Sequence, residues 1–322
     1  SSPMNGNWMQ SVDGFPALIS DPWLNARITT LHACSDLWAV GAEVKSVQAI
    51  ISLPEVGSDL QRILLQQCLG GIKSAIEPQG AFLIGGHTYE SRSPVNKPIS
   101  LGIEISLIVN GTLQSSFLRL RKSGLEPGDQ LLLSRGLGSG VIFAAAMEGA
   151  VKAEDLDDAL KELSRSQHSL LNFKQNKNTF QKRLINASTD VTGFGLLGHL
   201  GEMVVSSNSK RSLVGLSTIK VNLYAESIPF LNGARNLFKN GYRSTLANSN
   251  SKAWSLLEMN EGLPALIELK FQDQKPNTQQ INLIKELIID PQTCGPLLIS
   301  CDIDTADDLV NNFSWIKIGS VE

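Results

Sequence analysis

The chain has 322 residues, of which 42% are hydrophobic and 18% charged, and its 28 basic and 31 acidic residues give a formal net charge of −3. This balance excludes a disordered chain, and the lack of a basic block excludes the electrostatic footprint of a nucleic-acid-binding protein. No apolar run approaches the roughly 20 residues that span a bilayer, so we expect no membrane partner and a cytoplasmic location. The length allows two domains.

The four cysteines, Cys34, Cys68, Cys294 and Cys301, show neither CxxC spacing nor a partnering histidine cluster. A structural zinc site is therefore not indicated. Four cysteines in a chain of this length are typical of small buried side chains in a reducing compartment, not of a disulfide framework.

The first third of the chain alternates between predicted strands and helices. The clearest helix has Asp21 as a suitable N-cap, Pro22 at its first position and Gly41 as its stop. A β-branched run predicts a central strand, and LIGGHT predicts a strand that runs into a glycine turn. The predicted strands cover residues 9–15, 47–54, 81–88 and 99–113, and the predicted helices cover residues 21–42 and 59–80.

A domain boundary is predicted in the polar, Gly- and Pro-containing stretch at residues 122–129, which gives domains of residues 1–123 and 124–322. The alternation of strands and helices on both sides predicts layered α/β domains. The second domain is predicted to contain a strand, glycine turn and helix (130–150), a helical or polar connection (164–184), a strand, loop and helix (185–204), a turn feeding a strand (290–301) and a closing strand (315–322).

The strongest local signal is STDVTGFGLLGHL at residues 188–200, where Asp190 ends a predicted strand and glycines precede a helix. Glycines allow close approach of the backbone to a ligand, and the N–H groups at a helix start attract phosphate. An aspartate beside phosphate needs a bridging cation, which points to Mg²⁺. Alternatively, Asp190 caps the helix and the glycines serve close packing, and spacing alone favours neither interpretation.

These residues closely resemble the signature of selenophosphate synthetases, within the wider superfamily of aminoimidazole ribonucleotide synthetase. Three further stretches resemble that family in the same order: HACSDLWAVGA at 32–42, LIGGHT at 83–88 and DPQTCGPLLIS at 290–300. The resemblance extends from Met9 onward. It implies a two-domain α/β fold, with an N-terminal sheet domain that forms a homodimer and a C-terminal α/β sandwich domain.

The resemblance also implies roles for individual residues. Asp13 matches a nucleotide and metal contact, Asp36 matches a residue of the nucleotide site, and Asp36 and Asp190 match two Mg²⁺-ligating aspartates. Three carboxylates far apart in sequence make chemical sense if they converge on the metals that hold the phosphates of ATP. The other nucleotide-binding positions are Gly86, His87 and Thr88, and the phosphate-loop candidates are Thr189, Thr192, Gly193 and Gly195.

The implied reaction converts ATP, selenide and water to selenophosphate, AMP and phosphate, with Mg²⁺ as the cofactor. Two alternatives stay open. The chain resembles other ATP-dependent ligases and kinases of the superfamily, such as thiamine-monophosphate kinase, although the motifs at 188–200 and 290–300 favour the selenium enzyme. The other alternative is a non-catalytic nucleotide-binding module.

The sequence departs from the family pattern at its start. Family members open with a Gly-rich segment that carries a Cys or selenocysteine and a Lys, followed by Asp-Asp-Ala-Ala-Val, and the first residues here align just after that segment. The catalytic groups are therefore unknown, and the activity of this chain alone stays open. Cys294, where the family has Ser, is interpreted as structural, and Pro296 replaces a Gly.

The proposed site residues also have plain structural interpretations, which stay open. Asp13 fits a turn beside Gly14, and His87 fits a loop histidine without a ligand. Asp36 fits a helix-surface carboxylate, although an acid near a helix C-terminus is unfavourable without a cation. His199 is expected to be a packed or surface side chain and not a catalyst.

A weaker signal is RGLGSG at residues 135–140. Its spaced glycines fit a phosphate loop, but a lone GxGxG pattern has little specificity. Arg135 is a candidate only for a charged partner in a turn of the second domain.

Overall fold

The computed structural model describes residues 7–91, 102–113, 119–168, 185–259, 265–272 and 276–322. The chain is a mixed α/β protein with two separate sheets. It divides into two compact units, one of residues 1–119 and 163–171 and the other of residues 120–162 and 172–322.

The first unit holds a four-stranded sheet in the order β1-β4-β2-β3, in which only β2 and β3 are parallel. Helices α1 and α2 pack together and against the sheet. The elements are β1 (Trp8–Pro16), α1 (Pro22–Ala39), β2 (Glu43–Leu53), α2 (Ser58–Ile76), a 3-10 helix (Glu77–Gln79), β3 (Phe82–Glu90) and β4 (Glu104–Thr112).

The two faces of this sheet differ. On one face Val47, Ile51, Leu107 and Val109 are buried beneath the helices. On the other face, which we call the open face, apolar side chains of the strands are exposed to solvent. These include Trp8, Val12, Ile50, Phe82 and Tyr89. Within the described residues, the apolar side chains on this side of the sheet are therefore left exposed.

The predicted start of α1 is confirmed. Asp21 is the N-cap, its carboxylate accepts a hydrogen bond of 2.9 Å from the Leu24 amide, and Pro22 occupies the first helical position. Gly41 lies just beyond the helix with a φ of 79°, a left-handed conformation that glycine adopts without a Cβ clash.

The predicted glycine turn in LIGGHT is wrong, because β3 continues through both glycines to Glu90. A Cβ on Gly86 would lie 1.9 Å from the carbonyl oxygen of Ala49 on β2, so glycine is needed here for close approach of two strands. The central strand β2 also begins at Glu43, four residues earlier than predicted.

The second unit holds a six-stranded sheet in the order β6-β9-β5-β10-β7-β8. Its core contains side chains of β5, β7 and α5, including Leu131, Leu133, Leu223, Leu200 and Met203. The strands are β5 (Gln130–Leu133), β6 (Ala187–Asp190), β7 (Val221–Tyr224), β8 (Ile267–Lys270), β9 (Leu297–Cys301) and β10 (Ile316–Val321).

The helices of this half of the chain are α3 (Ser139–Met147), α4 (Ala153–Leu163), α5 (Gly195–Leu213), α6 (Ala234–Lys239), α7 (Ala247–Asn250), α8 (Thr278–Leu287) and α9 (Ile303–Phe313), with 3-10 helices at Ala225–Ser227 and Ser251–Leu257. The predicted glycine turn before α3, the strand–loop–helix around Asp190 and the closing strand are confirmed. Most of the predicted connection at 164–184 lies outside the described residues.

The four cysteines are free and buried, as predicted. Among the residues described here, no helix is both long and apolar enough to cross a membrane.

Candidate functional site

Two polar pairs join α1 to β1 in the first unit. His32 and Asp36 lie one turn apart on α1, and Ser11 and Asp13 lie two residues apart on β1, so each pair of positions shares one face of its element. His32 Nε2 lies 3.0 Å from Asp13 Oδ2, and the Ser11 hydroxyl donates to Asp36 Oδ2. The packing of one helix on one strand thus brings two predicted carboxylates into neighbouring hydrogen-bonded pairs.

Asp13 is held in its ionised form. Its Oδ1 accepts a hydrogen bond of 2.7 Å from the Gly14 amide. Burial raises the pKa of Asp13, but the hydrogen bond and the charge of His32 and the Gly14 amide outweigh that effect, so the pKa lies below its ordinary value of 3.8. Because Asp13 lies inside β1, its interpretation as a turn residue is wrong.

Asp36 lies in the last turn of α1, where the helix dipole disfavours an acid. The side chain is half-buried, and the Ser11 hydroxyl compensates one carboxylate oxygen. The other oxygen, Oδ1, accepts no hydrogen bond from the described part of the chain. A hard cation such as Mg²⁺ prefers carboxylate oxygens of this kind, so Asp36 fits as a ligand of the ion.

The sheet register places the three predicted β3 residues on two different faces. Gly86 lies in the same row as Asp13 across the sheet, and Thr88 lies two residues further on the same face. His87 lies in the row of Ile50 on the open face, where its ring stacks on Tyr89 with centroids 6.1 Å apart. His87 therefore points away from the face that carries Asp13.

In the second unit, the loop after β6 is interlocked with the stretch before β9. Asp190 is the last residue of β6 and is buried. The Val191 amide donates to the Pro296 carbonyl over 2.8 Å, and the Gln292 amide donates to the Thr192 carbonyl over 3.0 Å. The two motifs that the sequence separates by about 100 residues therefore form one structure.

The start of α5 shows whether Asp190 caps this helix. The cap position is Phe194 and makes no side-chain hydrogen bond, so the interpretation of Asp190 as a helix cap is wrong. The amides of Gly195 and Leu197 already donate to the carbonyls of Thr192 and Ile288. Two of the N–H groups that the sequence offers to a phosphate are thus used within the protein.

The other loop candidates differ in their surroundings. Thr189 is buried in β6 and its hydroxyl donates to the Asp190 carbonyl over 3.1 Å. Gly193 is exposed, with open space where a Cβ would stand. Gly195 has a φ of 68°, and a Cβ there would lie 2.7 Å from the Ile289 carbonyl carbon. Gly195 is therefore needed for the backbone path, whereas Gly193 is not.

Sequence reasoning gave no role to two polar residues, one within the motif at residues 32–42 and one outside the motifs. His32 holds Asp13, as described above. Asn250, at the end of α7, donates from Nδ2 to the carbonyls of Gly193 (2.8 Å) and Ile289 (3.0 Å) and so ties the two motif loops together. No sequence pattern marks Asn250, because its partners are backbone atoms of distant segments.

The hydrogen-bond donors of the RGLGSG stretch and of the residue after it are used by side chains of the protein. Gln292 Oε1 accepts hydrogen bonds from the Gly138 amide (2.8 Å) and the Ser139 hydroxyl (3.2 Å), and Asp290 Oδ2 accepts from the Val141 amide (3.2 Å). These acceptors occupy the N-terminus of α3, which argues against a phosphate loop there. Arg135 is buried and donates to the Cys294 carbonyl over 3.3 Å.

Within the described ranges, no group of three or more His, Cys, Asp or Glu side chains forms a metal cluster by itself. Any Mg²⁺ bound by the predicted carboxylates would thus take further ligands from phosphate or water.

Comparison with protein families matches both halves of the chain. Residues 3–108 match the N-terminal domain of AIR synthase related proteins, and residues 126–214 match the C-terminal domain of the same proteins.

Solved structures agree in fold. Thiamine-monophosphate kinase from Stenotrophomonas maltophilia aligns over 98% of this chain and 84% of its own (TM-score 0.63, 17% identity), and hydrogenase maturation protein HypE in complex with ATP aligns over 100% and 78% (TM-score 0.62, 15% identity). The fold and the paired domains thus define an AIR synthase-related protein.

Curated relatives identify the family within the AIR synthase-related proteins. A selenide, water dikinase from Clostridium botulinum is 30% identical over 293 residues, which cover 91% of this chain and 72% of the relative. One from Caldanaerobacter subterraneus is 29% identical over 313 residues, covering 97% and 77%. The chain belongs to the selenide, water dikinase family.

Proposed function

We propose that this protein makes selenophosphate from selenide, ATP and water and releases AMP and phosphate. Family membership carries the proposal, because relatives named selenide, water dikinase match at 27–30% identity over more than nine tenths of the chain. The reaction requires in-line attack on the γ-phosphoryl group and then a hydrolytic step.

The nucleotide-binding residues of the proposal are Asp13, Asp36, Gly86, His87 and Thr88, of which His87 lies on the opposite face of the sheet from Asp13. The arrangement of α1 and β1 supports the first two, since Asp13 is ionised and one oxygen of Asp36 accepts no hydrogen bond from the described residues. Bound Mg²⁺ would lower the negative charge that an attacking nucleophile meets on the phosphates. Its proposed protein ligands are Asp36 and Asp190, and the proposed phosphate contacts are Thr189, Thr192, Gly193 and Gly195.

We further propose a homodimer built on the open face of the first sheet, with domains of residues 1–123 and 124–322 in each chain. Exposed apolar side chains on this face, such as Val12 at 65% and Phe82 at 69%, support the proposal. The buried free thiols support a reducing, cytoplasmic setting.

Phosphorus NMR tests the activity directly. The protein is incubated with Mg-ATP, with and without selenide, under reducing anaerobic conditions. We expect AMP, phosphate and a new resonance from a selenium-bonded phosphorus only when selenide is present. ATP that stays intact with selenide would contradict the proposal for this chain.

The metal role of Asp190 is tested by Mg-ATP affinity. Asp190→Asn removes the charge and is expected to weaken binding about tenfold or more, whereas Asp59→Asn, on the exposed start of α2, serves as the control. Equal affinities for Asp190→Asn and the unaltered protein would exclude Asp190 as a metal ligand.

A further inference from the structure

Asn250 fixes the exposed turn that precedes α5. It is the last residue of α7 and is half-buried, and its Nδ2 donates to the Gly193 carbonyl over 2.8 Å and to the Ile289 carbonyl over 3.0 Å. A side-chain amide nitrogen carries two hydrogens, so both donors of Asn250 are used. The side chain is therefore held in one orientation against the turn.

The preceding peptide of the turn is fixed in a similar way. The Thr192 carbonyl accepts hydrogen bonds from the amides of Gly195 and Gln292, each over 3.0 Å. The carbonyls of two successive peptides thus face groups of the protein. Because the C=O and N–H groups of a trans peptide point in opposite directions, the amides of Gly193 and Phe194 point away from those groups.

These two amides are the available donors of the turn. Neither donates to an acceptor within the described part of the chain, whereas the amides of Gly195 and Leu197 are used. Gly193 is exposed, with no atom within 4 Å of the place where a Cβ would stand, and Phe194 is 60% exposed. Successive backbone N–H groups of this kind suit an anion such as a phosphate oxygen.

The orientation of the Gly193–Phe194 peptide depends on Asn250. Glycine lacks a Cβ, so the backbone around Gly193 rotates at a lower steric cost than that of other residues. Without the hydrogen bond from Asn250, the Gly193 carbonyl can turn towards the outside of the loop. A carbonyl oxygen in that position repels a phosphate oxygen, whereas an N–H group attracts it.

We propose that Asn250 is a positioning residue, which holds the Gly193–Phe194 peptide so that the Phe194 N–H donates to a phosphate oxygen of the nucleotide. The assignment rests on the proposed function, because it presupposes a nucleotide phosphate at this loop. It adds the Phe194 amide to the phosphate contacts, and Asn250 acts through the peptide without touching the nucleotide.

NMR of a selectively labelled protein tests the hydrogen bond from Asn250. The sequence contains two Gly-Phe pairs, Gly14-Phe15 and Gly193-Phe194, so carbonyl-labelled glycine and nitrogen-labelled phenylalanine give two correlation signals. Gly193→Ala removes one signal and so assigns both. We expect Asn250→Ala to move the Gly193 carbonyl signal upfield and to leave that of Gly14 in place. An unchanged Gly193 signal would show that Asn250 does not hold this peptide.

The same spectrum tests the phosphate contact without any variant at Asn250. A non-hydrolysable Mg-ATP analogue is added until the unaltered protein is saturated. We expect the Phe194 amide proton to move downfield, as it does when an N–H group gains a charged acceptor. A Phe194 signal that stays in place in the saturated protein would overturn the proposal, even if Asn250→Ala fails to fold.

Calorimetric titration with the same analogue tests the positioning role. We expect Asn250→Ala to weaken binding about tenfold, as is typical when a hydrogen bond to a charged group is lost. Asn236→Ala, at an exposed position of α6, is the control and is expected to bind as the unaltered protein does. A lower melting temperature of Asn250→Ala with unchanged affinity would reduce Asn250 to a structural role.

The two hypotheses fail in different ways. If the unaltered protein binds no Mg-ATP, the proposed function and the phosphate contact are both wrong, while the Gly193 carbonyl signal still decides whether Asn250 holds the peptide. If the protein binds Mg-ATP and Asn250→Ala binds it equally well, the positioning role alone is wrong.

Discussion

At the scale of single residues, the proposed carboxylates depend on neighbours to which the sequence motifs assigned no role. His32 and the Gly14 amide lower the pKa of Asp13. The Ser11 hydroxyl donates a hydrogen bond to Asp36, which offsets the unfavourable position of that carboxylate near the C-terminus of α1. A carboxylate fixed by such partners needs little reorganisation when a cation arrives. The partners therefore offer a way to test the site without altering the proposed ligands.

His32→Ala removes the hydrogen bond to Asp13 and leaves the carboxylate in place. We expect Mg-ATP affinity to fall about tenfold, as is typical when the partner of a metal ligand is lost. Calorimetric titration measures the change, with His168→Ala as the control because His168 is also partly buried in the first unit. Unchanged affinity in His32→Ala would show that Asp13 needs no such support.

Asp290 makes stability depend on pH. Burial raises its pKa from 3.8 to about 7, against the hydrogen bonds of Val141 and Gln292. Between pH 4 and 7 the folded state therefore keeps a proton that the unfolded state has lost. Each pH unit of rise in this window costs about 1.4 kcal/mol of stability, and the loss is complete above pH 7.

Asp290→Asn removes this titration and keeps an oxygen for the Val141 amide. Urea unfolding at pH 4.5, 5.5 and 6.5 should show that the free energy of unfolding of the unaltered protein falls relative to that of Asp290→Asn as the pH rises. Parallel curves would mean that Asp290 is ionised in the folded protein throughout.

At the scale of elements, β3 shows how a glycine pair can serve a strand. Gly85 and Gly86 have similar φ values of 158° and 156°, but only Gly86 approaches the backbone of β2. An added Cβ would meet Ala49 at Gly86 and nothing within 4 Å at Gly85. The two positions therefore form a matched pair.

Gly86→Ala is expected to lower the free energy of unfolding by about 2 kcal/mol more than Gly85→Ala. The two variants share a similar backbone cost, so the difference reports the contact with Ala49. Chemical denaturation of both proteins gives the comparison. Equal destabilisation would show that β3 can shift away from β2 to accommodate the added Cβ without a further loss of stability.

The sequence predicted elements whose signals are local. The Asp21 cap fixed the start of α1, and Asp190 was correctly placed at the end of a strand. The path of β3 could not be predicted, because the need for Gly86 lies in Ala49 on another strand. Likewise, His32 and Asn250 gain their roles only when α1 packs on β1 and when the two motif loops meet.

At the scale of the whole molecule, the first unit places both helices on one side of its sheet. Hydrophobic residues that alternate along β1 therefore remain exposed on the open face, among them Trp8 and Val12. Large apolar patches of this kind mark interaction surfaces, which is the basis of the proposed dimer.

Ile50→Glu places a charge on the open face and, across a two-fold axis, opposes it to its own copy. We expect the variant to sediment as a monomer at micromolar concentration, whereas the unaltered protein sediments as a dimer. Leu213→Glu is the control, since Leu213 is 87% exposed in the second unit. A variant that remains dimeric would place the interface elsewhere.

The pairing of β6 has a consequence during synthesis of the protein. Among the described strands β6 pairs only with β9, and the loop after it is held by Gln292 and Pro296. At ~5–20 residues per second, the ribosome needs about 5 to 20 s to add the intervening 100 residues or so. Throughout that interval the nascent Asp190 segment lacks its partner strand, so translation that stops before β9 yields a chain in which β6 has no strand to pair with.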